Sequence, residues 1–210
     1  GKTIPSLDEE KKWDVTMKIK EGDVVTSGQI FATCPETSLI EHRSLIPVGI
    51  KGKVVKAVSD GAYTVKDVLA VIEDESTHEQ KEVTLMQKWA IRTPRPIKGR
   101  EPITMPLITG QRVVDTMFPI AKGGSSALPG GFGAGKTMMQ HQIAKWCDAD
   151  IIIYVGCGER GNEMTQALEE FSELTDPKSG KPLLDRTVLI ANTSNMPVAA
   201  REASIYTAVT

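Results

Sequence analysis

Long hydrophobic runs are missing from the 210 residues: no apolar stretch approaches the roughly 20 positions that a membrane-spanning helix needs. No signal peptide opens the chain, so any membrane role is expected to run through partners. An excess of one charge is missing too. The 25 basic and 27 acidic residues leave a net charge of −2, which offers no electrostatic footprint for nucleic acid or an anionic surface. Cys34, Cys147 and Cys157 are an odd number without metal-ligand spacing, which suits a reducing cytoplasm better than a disulfide framework. His42, His78 and His141 are scattered, so no His/Cys metal site is expected, and each reads as a surface or lightly hydrogen-bonded side chain. A hydrophobic content of 40% and a charged content of 25% are ordinary for a globular protein of one large or two modest domains. Gly1 at one end and a helical pattern running into Thr210 at the other make both ends read as cut, so a longer polypeptide is expected.

What is present is a phosphate-binding pattern. Gly130-Gly131-Phe132-Gly133-Ala134-Gly135-Lys136-Thr137 fits Gly, any four residues, Gly, Lys, then Ser or Thr, the P-loop. Glycines put no Cβ in the way, so successive N–H groups can turn inward onto an anion. The following helix adds unsatisfied N–H groups and the positive end of its dipole. Lys136 is placed to reach β- and γ-phosphates, and the Thr137 hydroxyl to ligate Mg²⁺. The context agrees. Ser125–Leu128 is expected as a short buried strand limited by Pro129, and Met139, Ile143, Trp146 and Cys147 fall on one helix face. Asp150–Gly156 then reads as a strand buried on both faces, as in a parallel sheet. The bland alternative is a flexible glycine loop with an incidental lysine.

From Trp13 to Asp74 the pattern is one of short β segments and turns. Gly22–Thr33 can be laid over Gly61–Val71 with one residue fewer in the second copy. Gly52–Val58 alternates between them like a half-buried strand. Such a duplication suggests a small barrel or sandwich of two interlocked halves. It looks like the barrel-sandwich module of biotinyl and lipoyl carrier domains, yet Leu39–Pro47 holds no lysine to modify. An inert structural or partner-contacting module is the better reading. Glu73–Gln80 is expected as a loop, Val83–Ile91 as a strand around Leu85 and Trp89, and Arg92–Pro102 as an extended connector. The expected division is therefore 1–82, a connector 83–102, and 103–210. In the last part Thr109 is expected to cap a helix through Met117, and Ala121–Gly124 to turn into the P-loop strand.

At the carboxyl end of the Asp150–Gly156 strand lies Gly156-Cys157-Gly158-Glu159-Arg160-Gly161-Asn162-Glu163. Ligands of open parallel sheets bind beyond such ends. If this strand neighbours the P-loop strand, Glu159 and Arg160 arrive near a γ-phosphate. A carboxylate there can orient an attacking water, and Arg160 can spread over phosphate oxygens or hold the loop by pairing with an acid. The plainer alternative for Glu159 is an acid favoured by the dipole of the next helix, with Asn162 as its cap. Glu163, in that helix's first turn, reads as structural. Met164, Ala167, Leu168 and Phe171 form a core face, 175–182 a loop and Thr187–Ala191 another buried strand. The polar run 192–195 leads, with Pro197, into a final helix that offers Ala199, Ala203 and Tyr206 for packing.

Together these residues resemble the catalytic A subunits of the vacuolar/archaeal-type rotary ATPases. The likeness is strongest in the P-loop, Gln140-His141-Gln142, Gly156–Met164 and Thr187–Tyr206, and extends over essentially the whole chain. Ala121–Gly124 and the wording of the P-loop are similar to the prokaryotic branch, and the β-rich first part resembles the insert, or bulge, that distinguishes A subunits from their B and F-type relatives. The resemblance implies an α/β fold: a P-loop NTPase core with a parallel sheet, incomplete here, preceded by a small all-β barrel-sandwich-like domain. It implies that Gly130, Gly131, Phe132, Gly133, Ala134, Gly135, Lys136, Thr137 and Met138 hold ATP or ADP, with Thr137 on Mg²⁺. Lys136, Glu159 and Arg160 are the implied catalytic residues, Glu159 polarising the hydrolytic water and Arg160 supporting the γ-phosphate. It further implies a hetero-hexamer of three A and three non-catalytic B subunits, with an arginine finger from B, stalk subunits, and a rotor coupled to H⁺ or Na⁺ movement. The complex would be cytoplasmic and peripheral to the membrane, with no nucleic-acid partner.

One departure matters. No hydrophobic strand ending in Asp follows Thr137 in a suitable position, so the Walker B carboxylate is missing, as are the adenine pocket and the C-terminal helical domain. The isolated piece is therefore expected to hydrolyse ATP negligibly. A different P-loop motor of the same core type, or a non-catalytic nucleotide-binding or assembly module, stands as the alternative.

Overall fold

The computed structural model describes residues 4–97, 99–131 and 133–210. By its internal contacts the chain divides into two compact units, Gly1–Trp89 and Ala90–Thr210. Phe132 of the P-loop and Lys98 of the connector lie outside the described residues.

The first unit holds β1 (Trp13–Met17), β2 (Val24–Val25), β3 (Ile30–Pro35), β4 (Glu41–Leu45), β5 (Gly52–Ala57), β6 (Gly61–Tyr63), β7 (Ala70–Asp74) and β8 (Gln80–Val83). They form two antiparallel four-stranded sheets, ordered β4-β3-β1-β6 and β2-β5-β7-β8. Each of the two look-alike segments starts in one sheet and ends in the other: β2 passes to β3, and β6 passes to β7. The crossings share their chemistry. The Thr26 N–H donates to Gln29 Oε1 (3.3 Å), and the Thr64 N–H donates to Asp67 Oδ2 (2.7 Å). In return the Gln29 and Asp67 N–H groups donate to the Thr26 and Thr64 carbonyls. The duplication is thus what interlocks the halves of the sandwich. Phe31 and Leu69, just past the two crossings, are fully buried with Val25, Ile46, Val54 and Ile72. Each such side chain contributes about 1.5–3 kcal/mol relative to an exposed one.

At the β7–β8 turn, Asp74 accepts the Ser76 hydroxyl (2.6 Å), the N–H groups of Ser76 and Thr77, and the Lys81 ammonium. These bonds, the Ser76 hydroxyl first, hold its carboxyl well below the usual carboxylate range. The stretch expected as a loop over Glu73–Gln80 is therefore a hairpin, with only 75–79 outside the strands. The strand expected over Val83–Ile91 is not formed beyond Val83. Leu85 still packs on the core, but β8 is the edge of its sheet and no strand of the unit pairs with residues 84–89.

The second unit holds β9 (Pro106–Leu107), α1 (Arg112–Met117), β10 (Ile120–Ala121), α2 (Lys136–Trp146), β11 (Ile152–Glu159), α3 (Gly161–Glu173), β12 (Thr187–Thr193) and α4 (Val198–Val209). β11 and β12 pair in parallel from Ile152↔Thr187 to Glu159↔Thr193, and α3 is their crossover. Ile152, Ala167, Phe171 and Leu183 are its buried apolar cluster, with Ala144 of α2, Tyr154 and Leu189 against it. Thr109 does not cap α1 directly, since Gln111 is the residue before the helix. It is fully buried instead, and its hydroxyl donates to Asp115 (2.7 Å).

Several expectations for this unit need correction. Ser125–Leu128 is not a strand: the stretch is exposed and irregular, because two serines and an alanine bury little and Pro129 donates no hydrogen bond. β11 consequently pairs with β12 alone among the described residues, and its Ile153 is 49% exposed rather than buried on both faces. Leu168 and Trp146 are largely exposed, and α2 turns His141 inward. In α4 the inward position is Ser204, not Ala199, whereas Ala203 is half-buried and Tyr206 exposed. The loop 175–182 is as expected, closed by a bridge between Thr175 and Pro182.

Candidate functional site

The phosphate loop opens α2. Gly133 (φ +76°) and Gly135 (φ +80°) are left-handed, a conformation costly for any side-chain-bearing residue. Gly135 is the residue before the helix, and the Met139 N–H donates to its carbonyl (3.0 Å). A Cβ added at Gly131, Gly133 or Gly135 would meet nothing within 4 Å, so the loop is not packed against other elements at these positions. At Gly130 the same atom would press on the Ala134 Cβ at 3.0 Å. The Lys136 ammonium donates to the carbonyls of Gly130 and Gly131, which closes the loop on itself. An ammonium has three N–H donors, and these two bonds use two of them. Thr137 is half-buried in the first turn and Met138 is exposed.

Glu159 ends β11, and Arg160 is the extended residue from which α3 starts; Asn162 lies inside the helix and caps nothing. Gly158, with φ +84°, sits where the β11–β12 register slips between Cys157 and Glu159. The slip turns the strand end, and the Ser194 N–H donates to the Glu159 carbonyl (2.9 Å) to hold it. A Cβ at Gly158 would lie 3.1 Å from an Arg201 guanidinium nitrogen, so α4 packs directly on this bend. In the polar run 192–195, the Thr193 hydroxyl bonds the Asn195 side chain, and Asn195 stays within its own loop.

Glu163 was missed as a site residue. Its carboxyl lies beside that of Glu159, and the hydrogen bond the pair shares when one is protonated, then burial, then the neighbouring charge push the Glu159 pKa up. The signal was the four-residue spacing across a strand end and a helix start, where α3 folds its first turn back over the strand. His141 was missed as well. It is 4% exposed, and its Nε2 shares a 2.9 Å hydrogen bond with the Tyr154 hydroxyl. Burial, then the charges of Glu159, Glu163 and Glu170, push Tyr154 up to about 12.

The P-loop and Glu159 thus come from α2 and β11, which meet through His141 and Tyr154. The expected juxtaposition through adjacent strands is not formed, for want of a strand at Ser125–Leu128. No group of three or more His, Cys, Asp or Glu side chains among the described residues is arranged to hold a metal. No helix among them is long and apolar enough to cross a membrane.

Both units match known proteins. Residues 4–92 match the model described as the ATP synthase alpha/beta subunit barrel-sandwich domain. Residues 110–210 match that of the ATP synthase alpha/beta family, nucleotide-binding domain. Over its whole length the chain is 57% identical to the A subunit of the A-type ATP synthase of Methanopyrus kandleri, of which it covers 35%. It is 56% identical to the same protein of Thermococcus sibiricus, covering 36%. It is also 56% identical to the V-type ATP synthase alpha chain of Halothermothrix orenii, covering 35%. The chain spans about a third of the length of these relatives. A barrel sandwich followed by a glycine loop and a parallel βαβ unit, matched in that order and at this identity, means that the chain belongs to the ATP synthase alpha/beta family, among the A-type and V-type A subunits.

Proposed function

We propose that the chain belongs to the catalytic, ATP-binding subunit of a rotary A-type/V-type ATPase, in which ATP hydrolysis or synthesis is coupled to H⁺ or Na⁺ translocation through partner subunits. The observation that carries this reading is the loop: left-handed Gly133 and Gly135 at the mouth of α2, no neighbour packed on them, and Lys136 bonded back to the loop carbonyls. Residues 130–138 bind the phosphates through backbone N–H groups and the Lys136 ammonium. Thr137 would hold Mg²⁺ through its hydroxyl oxygen, since this hard ion takes oxygen ligands. When bound, the ion would neutralise phosphate charge.

Glu159, as a carboxylate, accepts a hydrogen bond from the water that attacks the γ-phosphorus and so orients it in line. Lys136 and Arg160 face the charge that builds on the phosphoryl oxygens. In this reading 1–82 is the bulge insert, 83–102 the connector, and 103–210 the start of the nucleotide-binding domain. The partners are the B subunit, which alternates with it in a ring of three and three, and the central and peripheral stalks. Membrane association is peripheral, through that complex.

The test uses the full-length protein in complex with its partners. Glu159→Gln is expected to retain Mg-nucleotide while losing turnover, and Lys136→Ala to weaken binding and abolish turnover. Unchanged turnover in Glu159→Gln removes the role given to that carboxylate.

A further inference from the structure

We propose that the hydrogen bond between His141 and Tyr154 is a positioning contact of this site, fixing the helix that begins in the phosphate loop against the strand that ends at Glu159. The inference rests on the reading of the site just given. His141 lies five residues after Lys136, about 7.5 Å along α2. Tyr154 lies five residues before Glu159, about 16 Å along β11. Two stiff elements, each bearing one half of the chemistry, are therefore tied at one polar point.

That point, a buried imidazole and a half-buried phenol, is shared by three elements. His141 Nε2 meets the Tyr154 hydroxyl at 2.9 Å, and His141 Nδ1 lies 3.6 Å from Glu170 Oε2 on α3 without a hydrogen bond of its own. Glu170 is already committed to Lys145 (2.6 Å) and Gln166 (2.8 Å). Phe171 closes the cluster, its ring centroid 6.3 Å from that of His141 and 5.9 Å from that of Tyr154. An imidazole and a phenol in such surroundings lose hydration, and only their mutual bond offsets that loss. Aliphatic and phenyl side chains would fill the same volume without the cost. What they would lack is direction, because a hydrogen bond constrains distance and angle where apolar contact lets a helix slide.

Phosphoryl transfer is sensitive to such sliding. Misplacing a reacting group by about 1 Å can cost on the order of 100-fold. Within this chain, phosphate binding in the proposed site draws on the loop and not on Glu159. The bond should therefore govern turnover and leave affinity untouched.

The full-length protein, in complex with its partners, provides the test. In Tyr154→Phe, kcat is expected to fall about tenfold, while the Kd of a fluorescent Mg-ADP analogue stays within about twofold. The double variant His141→Leu/Tyr154→Phe leaves no orphaned polar atom, so its thermal midpoint should recover relative to Tyr154→Phe while kcat does not. Recovery of kcat together with stability would show a packing role and overturn the proposal. So would an unchanged kcat in Tyr154→Phe, or a loss confined to Kd. Lys136→Ala and Glu159→Gln run alongside: if they keep full turnover, the reading of the site has failed, and with it this inference. If they lose turnover while Tyr154→Phe does not, only the positioning role has failed.

Discussion

The sulfur of Met164 occupies the space a side chain on Gly156 would need: a Cβ built on that glycine would lie 2.2 Å from Met164 Sδ. Gly156 is in the middle of β11 and Met164 is in the first turn of α3, so the missing side chain lets the helix start flat against the strand. The same close approach folds Glu163 back to Glu159. Packing at Gly156 and the carboxyl pair at the strand end are one arrangement.

Gly156→Ala is accordingly expected to destabilise the nucleotide-binding unit by about 1–3 kcal/mol, the usual cost of overfilling a packed site. Urea unfolding would measure it. Met164→Ala added to Gly156→Ala should recover part of the loss, and strictly additive effects would show that the two residues do not meet.

Asp176 and Arg186 are buried together, with Arg186 donating to Asp176 Oδ1 and to the Ala149 carbonyl. The Ser179 hydroxyl first, and then Arg186, hold the Asp176 carboxyl below its ordinary value against the opposing effect of burial. A carboxyl depressed in the folded state stabilises above its ordinary value of 3.8 and loses that contribution as pH falls below it. Arg186→Met should cost about 3 kcal/mol at pH 7, since it strands a buried carboxylate. The gap between parent and variant in urea midpoint should narrow as pH falls below 3.8, where the stranded carboxyl of the variant takes up a proton. A gap independent of pH would rule the pair out as its cause.

The Glu159–Glu163 pair gives turnover its own pH signature. In the proposed mechanism Glu159 acts as a carboxylate, and its pKa is raised from 4.5, chiefly by the bond to Glu163. The acidic limb of the rate profile in the assembled enzyme should therefore lie above 4.5, and Glu163→Gln should move it down. For stability the sign is the reverse of that at Asp176. A raised carboxyl stabilises below its ordinary value and loses this as pH rises through the raised one, so Glu163→Gln should stabilise the fold at neutral pH. An acidic limb that moves up in Glu163→Gln would contradict the pairing.

Local chemistry was legible wherever one residue type admits one conformation. Gly133 and Gly135 are left-handed in the loop, a conformation glycine adopts without steric cost. The repeat of Gly22–Thr33 in Gly61–Val71 announced two interlocked halves, because the same turn chemistry recurs at Thr26/Gln29 and Thr64/Asp67. Periodicity did less well for α2 and α4. Their inward positions are His141 and Ser204, polar residues that hydropathy assigns to the surface and that are buried here because each has a hydrogen-bond partner.

The sequence by itself determined the phosphate loop, the βαβ order around α3 and the duplicated sandwich, since these rest on glycine conformations, residue spacing and local turns. Only the tertiary structure decided that Ser125–Leu128 forms no strand, that α2 reaches β11 through His141 and Tyr154, and that Glu163 lies against Glu159. The physical reason is common to all three. A strand needs a partner edge, and a buried polar group needs a partner atom, and which partner it meets depends on elements distant along the chain.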